Sequence, residues 1–344
     1  MPIPTTTIGS YPKPAYAPVP SPFDPETGAW RPMRPGERPP RDEAELDRAV
    51  REVVSEQVAL GIDVPTDGEV RREGYILYHL RHLAGFDFNR PAHRVMRDGG
   101  WHAEVPRVTG PVRAQSSFLP QDWRVAQNAT ERPVKMTLPG PLTIVASTAD
   151  EFYGDERVLA EALADALSVE VRALAKAGCQ WIQIDEPVFA REPERALAFG
   201  IDLLERCFAG VPDHVRRVVH ICCGYPSAVD LEDYPKAEPT SYLQLADALD
   251  DAAVDAVSLE DAHRHNDLRL LERFSRTRVI LGLVDIARSR VESAEEITGR
   301  LQKALEHIDP ERLTAAPDCG LTMLPRETAV AKLTSLVAGA RAVD

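Results

Sequence analysis

Apolar and polar positions along the chain follow two alternating rhythms. Short apolar and β-branched runs near residues 5, 62, 134, 181, 217, 256, 280 and 314 read as strands. Between them lie stretches with apolar residues three and four apart, which read as amphipathic helices; in 43–60 these are Leu46, Val50, Val53 or Val54, and Val58. An alanine- and leucine-rich helix is expected over 155–177 with Gly178 as its C-cap, and further helices to about 208 and over 242–249, 267–274, 294–307 and 326–340. Strands that alternate with helices pair in parallel through right-handed crossovers. Eight strands close a (β/α)8 TIM barrel, the α/β fold expected here as a single domain over 1–344. An open doubly wound sheet is the alternative, but no Gly-x-Gly-x-x-Gly turn supports a dinucleotide fold.

Two stretches interrupt the rhythm. Proline recurs so densely over 13–40 that an extended arm or lid is expected there. The stretch 75–127 is rich in aromatic residues and histidine (Tyr75, Tyr78, His79, His82, Phe86, Phe88, Trp101, His102). It reads as an insertion after the second strand, with a hairpin around 104–115.

Charge narrows the function. The 344-residue chain carries a net charge of −14, with a pI near 5.2. No Lys/Arg-dense patch offsets that acidity, which argues against nucleic acid or an anionic membrane as partner and for a small-molecule enzyme. No apolar run approaches the roughly 20 residues that span a bilayer. Met1-Pro2-Ile3-Pro4-Thr5 lacks the basic and apolar regions of a signal peptide. A cytoplasmic location is expected, where the five cysteines stay reduced and free to act as ligands.

In a parallel barrel, polar residues at the carboxyl ends of strands face the catalytic side. Those ends here carry Ser10, Asp67 and Glu69, Asp185 and Glu186, His220 and Cys222, Glu260 and Asp261, Asp285, and Asp318 and Cys319. His220 and Cys222 stand two apart and share a strand face, with Cys223 turned the other way. Joined by Glu260 and Cys319 from later strand ends, they make a tetrahedral zinc set, because thiolates select zinc over magnesium or calcium. The competing reading makes Cys222 and Cys319 buried small residues and Glu260 a helix N-cap. Cys179 and Cys207, beside a helix cap and within a helix, read as structural. The carboxylate is the hardest and most replaceable of the four ligands, so a substrate thiol is expected to displace or join Glu260 and bind as a thiolate. Glu69 and Asp185 are then free to hold an ammonium group of that substrate. Helix capping or a salt bridge inside the barrel is the alternative for each.

The motifs Thr5-Thr6-Thr7-Ile8-Gly9-Ser10-Tyr11-Pro12, Asp67-Gly68-Glu69, Leu138-Pro139-Gly140-Pro141-Leu142-Thr143, Ile182-Gln183-Ile184-Asp185-Glu186-Pro187, His220-Ile221-Cys222 and Pro317-Asp318-Cys319-Gly320 resemble the catalytic barrel of the cobalamin-independent methionine synthase family. They stand in family order over nearly the whole chain. The resemblance implies a (β/α)8 barrel and zinc on His220, Cys222, Glu260 and Cys319. It also implies homocysteine held by the backbone around Ile8 and Ser10 together with Glu69 and Asp185, and methyl transfer to that thiol to make methionine. The chain has no room for the family's second, N-terminal barrel and is similar to the short, core-type members.

Two departures bear on the methyl donor. Where the family carries Asp-Ile-His-Ser-Pro, with a histidine that assists proton transfer to folate, this chain reads Asp285-Ile286-Ala287-Arg288-Ser289. Where a tryptophan-containing segment follows the Gly-Pro-x-Thr-Ile run, this chain has Val145-Ala146-Ser147-Thr148. A donor other than polyglutamyl methyltetrahydrofolate is therefore expected, with a methyl-corrinoid protein as one candidate. The alternatives are zinc-dependent alkyl transfer to another thiol of the coenzyme M type, a zinc-free decarboxylase of the uroporphyrinogen kind, and a non-catalytic zinc-containing binding protein.

Overall fold

The computed structural model describes residues 2–17, 19, 33–34, 42–96, 101–232 and 234–343. Most of the proline-dense stretch 13–40, expected as an arm, lies outside the described residues. The amphipathic stretch forms a helix over Glu43–Leu60, whose first amides, those of Ala44 and Glu45, donate to the Asp42 carboxylate; Gly61 closes it in the left-handed conformation. Beyond it, β1 (Leu83–Met96) and β2 (Trp101–Ala114) pair as an antiparallel hairpin, longer than the one expected around 104–115. Pro91, Pro106 and Pro111 obscured its length, since proline gives no ladder hydrogen bond, and the register slips between Asp87 and Ala92.

Regular alternation follows. A short β4 (Ala149–Asp150) adds to β2, while β3 (Lys135–Pro139), β5 (Trp181–Asp185), β6 (Arg216–Ile221), β7 (Ala256–Leu259), β8 (Arg278–Val284) and β9 (Leu313–Pro317) form a six-stranded parallel sheet in that order. Helices Glu156–Ala177, Ile201–Phe208, Ser241–Asp251, Ala294–Ala304 and Arg326–Arg341 lie between or after these strands, where the periodicity predicts them. The α-helix expected over 267–274 is instead a 3-10 helix, Leu268–Arg273, which ends as the chain turns extended at Phe274. So short a segment gains little from α-helical propagation.

The first two expected strands form no ladders. Thr5 bridges Ala315, Thr6 bridges Val64 and Thr66 bridges Lys135, each in the parallel sense and each as an isolated pair. A few backbone bonds, such as the Thr6 amide to the Ala315 carbonyl and the Lys135 amide to the Pro65 carbonyl, are joined by side-chain bonds. The Thr5 amide donates to Asp63 Oδ2 at 2.9 Å. Gln57, buried on the first helix, accepts from the Thr66 amide at 3.1 Å and donates to the Thr66 carbonyl at 2.9 Å. The fold is therefore a mixed α/β fold around a six-stranded parallel sheet, with two extended segments stitched along its edges.

Strand parity sorts the interior. Val218 joins Ile8, Ala256, Ile280 and Ala316 in a small buried cluster, while Val219, Ile221, Val257 and Leu281 belong to the large core. His220 follows Val218 by two residues and so shares its face.

Candidate metal centre

The ligand atoms of His220, Cys222 and Cys319 lie within 4.8 Å of one another. His220 is the penultimate residue of β6, Cys222 follows the strand, and Cys319 stands in the turn after β9. The His220 ring shares a hydrogen bond between Nδ1 and Ser258 Oγ at 3.0 Å, its register partner on β7. Nε2 is buried without a hydrogen-bond partner among the described residues. A hydrogen bond with Cys319 pulls the Cys222 thiol well below its ordinary range against the effect of burial, with help from His220. The same bond, with burial, pushes Cys319 well up.

Glu260 stands beside this trio and falls into a second group, with Cys223 and His263, whose ligand atoms also lie within 4.8 Å of one another. Its Oε2 accepts from Lys236 Nζ at 3.0 Å and lies 3.1 Å from His263 Nδ1, whereas Oε1 is buried and unpartnered. Burial, followed by the adjacent Cys222, pushes the Glu260 carboxyl well above the carboxylate range. Glu260 is no helix cap. No helix begins there; Asp318 holds the loop after β7, accepting from the amides of Asp261 and Ala262 at 2.9 Å and of His263 at 2.8 Å. Burial would raise Asp318, but His263 and these amides hold it low. Cys223 turns away as its parity requires, donating to Tyr242 Oη at 3.1 Å. Cys179 and Cys207 are buried thiols that burial pushes up, Cys179 to about 12.

The two carboxylates expected to hold an ammonium group differ in their ties. Glu69 has φ 53°, directly after Gly68 at φ 65°, so the Asp67-Gly68-Glu69 turn runs through two left-handed residues. Thr137 Oγ1 donates to Glu69 Oε1 at 2.9 Å and Arg72 Nη1 donates to it at 3.3 Å. The salt-bridge alternative therefore holds for that oxygen, while Oε2 has no partner among the described residues. A Cβ at Gly9 would lie 2.8 Å from Glu69 Oε1, which is why glycine stands there. Asp185, the register partner of His220, accepts at Oδ1 from Gln183 Nε2 at 2.7 Å and makes no ion pair among the described residues. Burial pushes its carboxyl up to about 7, His220 opposing and Glu69 adding to the rise.

The Ile8 carbonyl accepts from Gln183 Nε2 at 2.9 Å, and the Ser10 carbonyl accepts from the Leu321 amide at 2.7 Å. Residues 8 to 10 thus run between the Glu69 turn and the Cys319 turn. Tyr225 Oη donates to the Gly320 carbonyl at 3.1 Å, and the phenols of both Tyr75 and Tyr225 are raised by burial and by the nearby Cys222 and Cys319.

Other strand-end acids are structural. Glu186 accepts from the Leu142 and Thr143 amides at 2.9 and 3.0 Å, capping helix Pro141–Ala146. Asp261 is paired with Arg300 at 2.6 Å. Sequence reasoning did not single out Arg72, Lys236 or His263. Arg72 follows the Asp-Gly-Glu turn by three residues and was within reach of that motif; Lys236 lies in an irregular stretch with no periodic signal.

A parallel α/β fold gathers an imidazole, two sulfurs and buried carboxylates at its strand ends, a donor set that could hold a metal ion. A family model described as the catalytic domain of cobalamin-independent synthase matches residues 3–199 and 237–342, and the chain belongs to that family. Glu260 and Cys319 lie in the matched parts; His220 and Cys222 fall between them. The chain is 32% identical over 99% of its length to the methionine synthase of Thermococcus kodakarensis, covering 93% of that protein. It is 32% identical over 98% of its length to that of Sulfolobus acidocaldarius, covering 91%. The solved B12-independent methionine synthase from Shewanella sp. W3-18-1, in complex with selenomethionine, superposes with a TM-score of 0.85 at 31% identity, over 99% of this chain and 97% of that one. Among the described residues no helix is long and apolar enough to cross a membrane.

Proposed function

We propose that this chain is a zinc-dependent methyltransferase that carries a methyl group to the sulfur of homocysteine and so makes methionine. One observation carries the reading: the ligand atoms of His220, Cys222 and Cys319 lie within 4.8 Å of one another, and His220 Nε2 is buried with no hydrogen-bond partner among the described residues. An imidazole lone pair, a thiolate and a second thiol ready to lose its proton fit a soft divalent cation. Glu260 Oε1, buried and without a partner, completes the set His220, Cys222, Glu260 and Cys319. When bound, zinc would supply a substrate sulfur held as thiolate at neutral pH. The chain's own side chains do the rest. Ser258 engages His220 Nδ1 and leaves Nε2 as the ligand atom. Glu69 Oε2 and Asp185 Oδ2 hold the substrate ammonium, the backbone around Ile8 and Ser10 lies alongside, and Tyr75 and Tyr225 wall the space between sulfurs and carboxylates. The relatives support the same chemistry: two are named methionine synthases, and a third is solved with selenomethionine, the selenium counterpart of the product.

Ala287 favours a donor other than polyglutamyl methyltetrahydrofolate, a methyl-corrinoid protein being one such donor. Its methyl side chain is buried and carries no proton, and its amide is spent on Asp285 Oδ1 at 2.8 Å. The same reading takes the chain as one catalytic (β/α)8 barrel with the hairpin as an insertion. The isolated bridges Thr5–Ala315, Thr6–Val64 and Thr66–Lys135 support a ring in which residues 5–8 and 62–66 join β9 back to β3.

The test is metal content followed by thiol titration. Stoichiometric zinc that is lost in C222S and C319S, with a cobalt-substituted form that answers homocysteine in preference to coenzyme M, supports the proposal. Absence of metal, or full retention in both variants, overturns it. Methylcobalamin and methyltetrahydrofolate compared directly decide the donor.

A further inference from the structure

We propose that Lys236 is a positioning residue for Glu260: its ammonium holds the outer carboxylate oxygen, so that only Oε1 faces the histidine and two sulfurs and Glu260 stays an exchangeable ligand. The inference rests on the metal-site reading above. Lys236 stands outside the residues that the family model matches.

The lysine is seated rather than solvated. Its Nζ lies 3.0 Å from Glu260 Oε2, with side chains only 13% and 1% exposed. His263 Nδ1 stands 3.1 Å from the same oxygen, but its hydrogen bond runs to Asp318 Oδ2 at 2.9 Å, so Lys236 supplies the hydrogen bond to Oε2. The loop that carries Lys236 is pinned at its root, where the Ala237 amide donates to the Cys223 carbonyl at 2.8 Å and Arg264 donates to the Ala237 carbonyl at 2.9 Å. Across the loop, Gly224 (φ 155°) runs so close to the Pro235 carbonyl that a Cβ would sit 2.5 Å from it. Farther along, the Asp230 amide donates to the Ala287 carbonyl at 2.7 Å and the Ser289 amide donates to Asp230 Oδ1 at 2.9 Å.

An ammonium on Oε2 draws charge away from Oε1 and repels a nearby divalent cation, and both effects weaken the carboxylate as a ligand. A carboxylate that yields its place to a thiol is then left paired instead of becoming a lone buried anion. The sign is opposite to that of a lysine with a merely structural role, whose loss would loosen the metal.

The test uses the full chain as wild type, K236M and K236Q, the last covering a K236M that does not fold. Zinc affinity is read by competition with a chelator. Thiol uptake is read from the visible spectrum of the cobalt-substituted protein titrated with homocysteine, the thiol giving its proton to solvent as it binds. Removing the ammonium is expected to tighten zinc about tenfold and to weaken homocysteine uptake by at least about tenfold. Zinc held no more tightly, or homocysteine uptake unchanged, overturns the proposal. A wild-type chain that takes up no zinc refutes the site reading itself, before any Lys236 variant is compared.

Discussion

Glu69 and Asp185 each spend one carboxylate oxygen on the protein and leave the other open, at Oε2 and Oδ2. Each open oxygen suits a charged hydrogen bond to an ammonium, an interaction worth about 1.5–3 kcal/mol. E69Q and D185N are therefore expected to bind homocysteine on the order of ten- to a hundredfold more weakly while keeping their metal, as calorimetry and metal analysis would read. Asp185 adds a pH dependence. Its carboxyl, raised by burial to about 7, is neutral below that pH, so wild-type homocysteine affinity is expected to climb as pH rises through about 7. D185N should flatten that part of the profile. Of these two residues, the strand-end position of Asp185 was legible in the run Ile182-Gln183-Ile184-Asp185. Arg72, three residues past Glu69, was within reach of the motif, but its contact with Glu69 Oε1 was not, because a buried salt bridge depends on where the guanidinium lands.

At the level of elements, Glu186 links β5 to the helix Pro141–Ala146 by accepting from two of its first amides. Pro139-Gly140-Pro141 stops β3 and exposes those amides, and Gly140 leaves room for the carboxylate: a Cβ there would lie 2.2 Å from Glu186 Oε1. E186A is expected to destabilise the chain by about 1–3 kcal/mol, measured by urea unfolding. Burial raises the Glu186 carboxyl to about 7, above its ordinary unfolded value. A raised carboxyl contributes its stability fully below the unfolded pKa and loses it as pH rises through the folded one. Wild type should therefore lose stability relative to E186Q between about pH 4.5 and 7. The hairpin β1–β2 teaches the complementary lesson. Its strands are regular in the fold but interrupted by proline in sequence, and a bulged pairing tolerates what a local pattern cannot read.

Over the whole molecule, the seam between the first two extended segments depends on Gln57. Besides its two bonds to Thr66, it accepts from Thr7 Oγ1 at 2.7 Å and donates to the Val53 carbonyl at 3.2 Å. Gln57→Leu leaves the Thr66 amide and carbonyl buried without these partners, and a loss of about 2–6 kcal/mol is expected in chemical unfolding. Nothing in the helical spacing of 43–60 distinguishes Gln57 from a surface glutamine except its place beside Val53, Val54 and Val58 on the buried side. The positions of the six strands of the parallel sheet were readable because each is a short run rich in apolar and β-branched residues. The two threonine-containing segments were readable as extended, but not as segments held by isolated backbone bonds and by side chains such as Asp63 and Gln57.

The sequence by itself determined the alternation that builds the parallel sheet, the parity that sets His220 and Cys222 on one strand face and Cys223 on the other, and the turn that carries Cys319. These are local properties, decided by spacing and by the conformations glycine and proline allow. Only the tertiary structure decided that Glu260 is gripped at one oxygen by Lys236, that Gly9 makes room for Glu69, and that Asp318 holds the loop after β7. Each of these joins groups brought together by folding, and its sign depends on distances of a few tenths of an ångström that packing sets and local pattern does not encode.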